Sequence, residues 1–441
     1  MAAKNTQSGS GSSEGITCTE KMPAGATAGG ADIVVVGGGM VGALTALAMA
    51  HCDLNVTVIE QSEPRRFSPE RHDIRVSAIS HATQQMFKAV GAWQYMVEAR
   101  VCPYSRMRVW DKSSTAKTCF DSSEVGHRQL GFIVENGLIQ DALWQQLLMM
   151  PNVSLRCPAR VVALQSTAKG ATLTLDDGDV LQAALLVAAD GAQSAVRALL
   201  DIETDGEIYN QHAMVATVRT DLPQQDITWQ RFTDTGPQAF LPLTDNRASL
   251  VWYNSEQRIS ELLALEEASL IQAIENEFPA QLGKLLSIDA TGSFPLQWSH
   301  ANQYVKPGVA LVGDAAHAVH PLAGQGVNLG MLDAAVLLQC VTDGIYQGRE
   351  PGDLRVLRRY ERWRKPANEM MIRMLDGIQK AFQPDEHSSA QAALLKALRT
   401  GALNLADKVT PINKSCMRSA MGLSGELPDL AHGRLPEQFV A

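Results

Sequence analysis

Apolar residues fall along this chain in two kinds of run: short β-branched blocks that end at a glycine or an acid, and longer stretches of helical length. Ile33–Val36 is one such block; glycines at 37, 39 and 42 follow, then an apolar stretch, then a second block, Val56–Ile59, that stops at Glu60. The order predicts strand, turn, helix and strand, a whole βαβ unit. Leu185–Ala189 reads as another buried strand running into Asp190 and Gly191, with a helix starting near Ser194. Val309–Val312 is a third, leading to Gly313 and Asp314. The HPLAGQG that comes next cannot be regular helix because of Pro321 and its glycines, whereas VNLGMLDAAVLLQCV can, so a helix N-terminus is predicted near Gly326 to Asn328.

Period-two runs dominate elsewhere. TWQRFTDTGPQAFLPLTDNRASLVWY holds three short β-rich runs separated by TDTGP and TDNR, the pattern of an antiparallel meander. From about residue 350 the chain turns helical, and RVLRRYERWRKPANEMMIRML places basic residues before a Met-rich apolar face. Two readings fit that helix: one packed on the rest of the fold, or one that meets an anionic membrane surface or a partner protein. Residues 1–30, rich in Gly, Ser, Ala and Thr, are expected to be a flexible leader.

Composition narrows the classes. With 441 residues, 45% hydrophobic and 19% charged, the chain fits a multi-unit globular enzyme. Lys and Arg number 38 against 47 acids, a net charge of −9, which argues against nucleic acid as a partner. Seven cysteines without a CxxC pair suggest a reducing cytoplasm rather than a disulfide framework. With no uninterrupted apolar run of about 20 residues, membrane contact is expected to be peripheral.

The glycine loop carries the first chemistry. Gly37 permits the tight turn, Gly39 lets backbone amides approach a pyrophosphate, and Gly42 lets helix and strand pack closely; Met40 and Val41 at the helix start are counted with them. Glu60 is placed to accept hydrogen bonds from a ribose hydroxyl, with Gln61 beside it. A glycine turn that merely packs a helix is the alternative, and it leaves the acid unexplained. The loop alone does not separate NAD from FAD. A cofactor touched also by Asp190 and Gly191 and by Gly313 and Asp314 must be long, and FAD meets that description. Asp314 is expected to hold the ribityl chain. Pro321, Gly324 and the amides of Gly326, Val327 and Asn328 are expected to seat the flavin, whose N1/O2 edge suits a helix N-terminus.

At these residues the chain resembles class A FAD-dependent monooxygenases. HPLAGQGVNLG, DIRVSAIS (73–80), VENGLIQDALW (134–144) and GPQAFLPLTDNRASLVWY (236–253) are similar to the branch that hydroxylates ubiquinone precursors. The resemblance runs from about residue 31 to the C-terminus. It implies an α/β aromatic-hydroxylase-like fold. A discontinuous Rossmann-like FAD-binding domain (31–85, 130–205 and 295–345) would join an antiparallel β-sheet substrate domain (86–129 and 206–294) and a C-terminal helical region (346–441). It implies that NAD(P)H reduces the flavin, O2 adds at C4a, and the C4a-hydroperoxyflavin transfers oxygen to a polyprenyl benzoquinol or phenol. A flavin dehydrogenase that inserts no oxygen, or a non-catalytic FAD-binding component of a quinone-biosynthesis complex, are the competing classes. No second GxGxxG unit is found, so the donor would dock transiently on the FAD domain.

Residue by residue, the resemblance implies that Arg75 approaches the FAD ribose or pyrophosphate, against a surface salt bridge, and Gln140 the ribityl region, against a helix-surface amide. Phe240, Leu241 and Pro242 would lie over the flavin as the substrate wall, against a strand packed in a core. Asp314, His317 and His320 could suggest a metal, but Pro321 breaks the helix such a site needs, and no metal is expected. His317 is expected to bond the turn. His320 is the one acid/base candidate and a substrate neighbour, with a pKa near neutrality, against a structural role. Localisation is expected to be cytoplasmic and peripheral at the inner face of the membrane, with other ubiquinone-biosynthesis proteins as partners.

Overall fold

The computed structural model describes residues 31–436 apart from 115, 224, 280–282, 322–323, 382–399 and 402, so the expected leader lies outside the described residues. Its first sheet is built on Ala31–Val36, which is flanked in parallel by Val180–Ala188 and Val56–Ile59. Val309–Leu311 continues the parallel order beyond Val180–Ala188, and Val153–Arg156 does so beyond Val56–Ile59. An antiparallel hairpin, Val161–Thr167 with Gly170–Leu175, attaches to Val180–Ala188. These strands are apolar on both faces because helices cover them: Ile33, Val34, Val35 and Leu185 to Ala188 are all fully buried.

The helix Met40–Ala50 lies between Asn136–Met149 and Gly326–Tyr346. Its approach requires a glycine at 42, where a Cβ would sit 1.9 Å from the Gly37 carbonyl oxygen. Gly37 itself has φ +102, and a Cβ there would meet the Ala189 carbonyl oxygen at 2.4 Å. Gly326–Tyr346 is long and apolar enough to cross a membrane, but here it is a core helix.

The second sheet has eight strands, ordered His317–Ala318, Leu285–Ala301, Thr204–Thr220, Arg247–Asn254, Gly236–Pro242, Ile227–Thr233, Arg106–Asp111 and Lys117–Asp121. The expected meander is Ile227–Thr233, Gly236–Pro242 and Arg247–Asn254, antiparallel throughout. Its second turn uses Asp245 and Asn246 at φ 59 and 56, residues that tolerate the left-handed region. Helices Glu256–Leu263 and Glu267–Glu277 cover one face of this sheet. A small third sheet, Val76–Ile79, Gly131–Glu135 and Cys102–Tyr104, joins the two large ones.

Two expected boundaries move. Phe87, Val90, Trp93 and Met96, on helices His81–Ala89 and Ala92–Ala99 and the turn between them, are buried in the core of the first sheet, so 86–99 packs with that sheet rather than the second. Leu285–Ala301 is one unbroken strand, so the boundary at 295 falls inside it. Gly292 and Pro295 look like turn residues in the sequence, but both pair with Thr204–Thr220 within the strand and mark no crossing. The final long helix, Leu354–Ala381, carries Pro366 internally and spans both units: Leu357 and Tyr360 pack in the first core, Leu375 against Val109 and Phe232.

Trp144 is fully buried, and its indole Nε1 donates to the Gly38 carbonyl oxygen at 2.7 Å. Trp144→Ala is expected to lower unfolding free energy by about 3–5 kcal/mol in urea titration; a loss below about 1 kcal/mol would mean that the loop does not depend on this contact.

Candidate functional site

Val36 pairs level with Ile59 on one side and Ala188 on the other, and Ala188 with Leu311. The parallel register therefore delivers Gly37, Glu60, Asp190 and Gly313 to a single edge, where ligands of open α/β sheets collect. Three side chains fix the glycine loop. Glu60 Oε2 accepts from Gly38 N at 2.6 Å, and the Gly38 carbonyl accepts from Gln140 Nε2 at 3.1 Å as well as from Trp144. Glu60 thus stands where expected but is already engaged with the loop and, through Oε1, with Ser62 N. Gln140 bonds the loop rather than lying free on its helix, and Gln61 is exposed. In contrast to Gly37 and Gly42, a Cβ on Gly39 would meet nothing within 4 Å.

Asp190 bonds its own turn: Oδ1 accepts from Ser194 Oγ and Oδ2 from Val196 N, capping the short helix Ala195–Leu199. Gly191, at φ +82, leaves open space beside it.

From this edge a cavity of about 370 Å³ opens toward the second sheet. Met40, Arg75, Asp314, Pro321, Gly324, Gly326 and Val327 line one side. Facing them are Pro237, Ala239, Leu241, Ser249, Val251 and Tyr253. Asp314 has no hydrogen bond or ion pair among the described residues. Burial pushes its carboxyl pKa up, while His317 and Arg75 pull it down. The Arg75 guanidinium forms no salt bridge among the described residues and reaches the cavity instead.

The substrate wall needs correction. Every wall position on Gly236–Pro242 is odd-numbered, because successive strand residues point to opposite faces. Leu241 lines the cavity as expected; Phe240 points to the far side, where it packs with Trp229, Leu250 and Ile274, and Pro242 is not on the wall. The Asn328 side chain has a structural task of its own. Its Oδ1 accepts from Ser80 N and Thr83 Oγ1, and its Nδ2 donates to Ala78 O, so the side chain ties the start of Gly326–Tyr346 to the neighbouring strand and helix. Val41 packs against Gly313, whose amide donates to Asp333 Oδ2.

His320 also needs correction. It is 1% exposed, lies against the rings of Tyr209 and Tyr253, and among the described residues has no hydrogen-bond partner on either ring nitrogen. It does not line the cavity, and burial lowers its pKa to about 4 rather than leaving it near neutrality. No histidine among the described residues lines the cavity.

His317 bonds the turn through Asp333. Its Nε2 lies 2.5 Å from Asp333 Oδ2, while Asp333 Oδ1 accepts from Arg364 Nε at 2.7 Å and Asn368 Nδ2 at 3.1 Å. Burial raises the Asp333 pKa, but His317 and Arg364 outweigh it and hold it at about 2. Sequence reasoning passed over Asp333, Arg364 and Asn368. The signal was a lone acid inside VNLGMLDAAVLLQCV, which has to find a cation.

Residues 30–374 match the family model described as FAD binding domain. The chain is 40% identical over 393 residues to the 3-demethoxyubiquinol 3-hydroxylase of Escherichia coli strain K12, covering 89% of this chain and 98% of that one. It is 35% identical to the ubiquinone hydroxylase UbiL of Rhodospirillum rubrum, over 91% of this chain and 93% of that one. The crystal structure of p-nitrophenol 4-monooxygenase PnpA from Pseudomonas putida shares the fold at a TM-score of 0.70 and 18% identity, covering 90% and 98% of the two chains.

Arg364→Leu removes the guanidinium from the buried Asp333 carboxylate and is expected to cost about 3–5 kcal/mol, with partial recovery in Arg364→Leu/Asp333→Leu. The folded Asp333 pKa, about 2, lies below the ordinary 3.8. The folded chain therefore binds fewer protons, and this stabilisation is complete above about pH 4 and lost as pH falls toward 2. Denaturant midpoints that fall in parallel for wild type and Arg364→Leu through that window would contradict it. For His320, a group uncharged across the neutral range, His320→Phe is expected to leave both limbs of the activity–pH profile between roughly pH 5 and 8 in place.

Proposed function

The chain belongs to the FAD binding domain family, and from that membership we propose that it hydroxylates the aromatic ring of a polyprenyl benzoquinol or phenol in ubiquinone biosynthesis. The observation that carries the reading is the cavity itself, with charged groups and a helix N-terminus on one side and a largely apolar sheet on the other. The residues present fit FAD. Gly39 leaves open space at the start of Met40–Ala50, Arg75 and Asp314 bring an unpaired cation and acid to the cavity, and Gly326 and Val327 present the first turn of Gly326–Tyr346. Glu60 fixes the loop on which the pyrophosphate would lie.

FAD, reduced by NAD(P)H, supplies the activation of O2. The chain's own part is to bind, orient and keep dry. Asp314 and Arg75 hold the cofactor's polar chain, and Ala239, Leu241 and Val251 offer the ring a flat apolar wall. Tyr104 and Tyr253 are the tyrosines among the described residues that line the cavity. Position on the ring is a matter of angstrom-scale placement. The name of the relative matched over 98% of its length supports attack on a demethoxyubiquinol. A substrate with an isoprenoid tail is reached at a membrane, and peripheral contact is favoured by Leu354–Ala381, where Met370 is 70% and Met374 50% exposed beside a basic run. A cytoplasmic location at that inner face, among other enzymes of the same pathway, completes the reading.

Gly39 has φ −65, which any residue adopts, and open space, so Gly39→Val fills the cradle without straining the fold. Gly39→Val and Asp314→Ala are each expected to purify folded and colourless; two yellow proteins with full flavin would place the cofactor elsewhere. The reaction is tested with 18O2 and by complementation of bacterial strains lacking single ubiquinone-pathway hydroxylases. Labelled product and rescue of the demethoxyubiquinol-accumulating strain are expected. NAD(P)H oxidation without label in the product would make the protein a dehydrogenase.

A further inference from the structure

Between Glu60 and Val76 the chain forms neither strand nor helix, yet this segment has to bring Arg75 into the cavity. An irregular stretch of that length holds one path only if other groups fix its backbone. Three of its carbonyls converge on Arg100, the residue that ends helix Ala92–Ala99. Its Nη1 donates to Pro69 O at 2.8 Å, and its Nη2 donates to Ser68 O at 3.2 Å and to Arg71 O. Its Nε donates to Glu135 Oε2 at 2.7 Å, in an ion pair whose side chains are 8% and 4% exposed. The ring of Phe67 lies 4.8 Å from the guanidinium, and Phe67 N is itself held by Asp141.

Two further links lead from this pair to the cavity. Glu135 Oε1 accepts both from Arg100 Nη2 and from Asp73 N. The Asp73 carboxylate accepts from Arg75 N at 3.1 Å and from Gly137 N at 2.9 Å, and Arg75 O accepts from Asn136 N. Arg100 does not line the cavity.

We propose that Arg100 is a positioning residue for the cofactor: by gripping three carbonyls of the 68–71 turn and, through Glu135 and Asp73, the backbone of Arg75, it sets the guanidinium of Arg75 in the cavity before the cofactor arrives. The proposal rests on the reading of Arg75 as an FAD contact. The chemistry demands arginine. Only a planar fork with five donors reaches three carbonyls and a carboxylate at once, whereas a lysine ammonium is a single point on a flexible stem. A segment ordered in advance adds no ordering cost at the moment of binding, so loss of the grip appears as weaker affinity for the cofactor.

The test is a double-mutant cycle on the FAD dissociation constant, read by flavin fluorescence with refolded apoprotein of wild type, Arg100→Lys, Arg75→Ala and the double variant. Each single change is expected to weaken FAD on the order of tenfold, the scale of one charge-assisted hydrogen bond. The double variant is expected to bind no more than about threefold weaker than Arg75→Ala, because the two residues act on one contact. Multiplicative losses, or an Arg100→Lys protein that binds FAD like wild type, overturn the proposal. Arg75→Ala with wild-type affinity overturns it through Arg75, while wild-type apoprotein that takes up no FAD would instead sink the cofactor assignment. Asp73→Asn leaves the Arg100–Glu135 pair intact and guards against misfolding of Arg100 variants. It is expected to weaken FAD severalfold with the same non-additivity toward Arg75→Ala, and unchanged binding counts against the proposal.

Discussion

The parallel register of one sheet is the constraint on which the rest of this molecule depends. Val36, Ile59, Ala188 and Leu311 are level partners, so chain segments far apart in sequence end at one edge. Nothing at the site would meet if any of these strands slipped by a residue, since a slip would also turn each side chain to the other face. The register is held by burial on both faces, and by glycines 37 and 42, whose missing side chains let the first helix descend onto the strand ends.

A second layer lies under that edge. Asp333, wholly buried in the helix Gly326–Tyr346, gathers Gly313, His317, Arg364 and Asn368 and so binds the turn bearing Asp314 to two helices. A carboxylate so enclosed is tolerable only because each oxygen accepts two hydrogen bonds, Oδ1 from the Arg364 guanidinium and the Asn368 amide and Oδ2 from the His317 ring and the Gly313 amide. It fixes the turn from Gly313 to His317 from below, and Asn328 fixes the start of the helix Gly326–Tyr346.

Much of this was legible in the sequence wherever a local rule applied. The βαβ unit, the two later strands that end at acids, the start of the helix at Gly326 and the meander all follow from periodicity and from glycine and proline placement. Local rules failed where the answer depended on which face a residue turns or on which distant group it meets. Phe240 and Leu241 are equally apolar, and only the neighbouring strands decide that the phenylalanine packs under helices while the leucine faces the cavity. His320 looked like a flavin neighbour because of its motif, yet Tyr209 and Tyr253 enclose it. Arg100 carries no motif at all, since three of its partners are backbone carbonyls, which leave no mark in a sequence.

On the last two strands of the meander the odd positions face the cavity and the even ones lie beneath helices, while on Ile227–Thr233 Thr228 and Gln230 line the cavity and Ile227 packs beneath. Along Gly236–Pro242 and Arg247–Asn254 the residues that would meet a substrate ring alternate with those that hold the sheet to its helical cover. Selectivity and folding are thereby written on alternate letters of the same text. Such a chain can drift to a new ring pattern by changes at 239, 241 or 251 while the intervening residues, and the glycine-bearing edge of the other sheet, stay as they are.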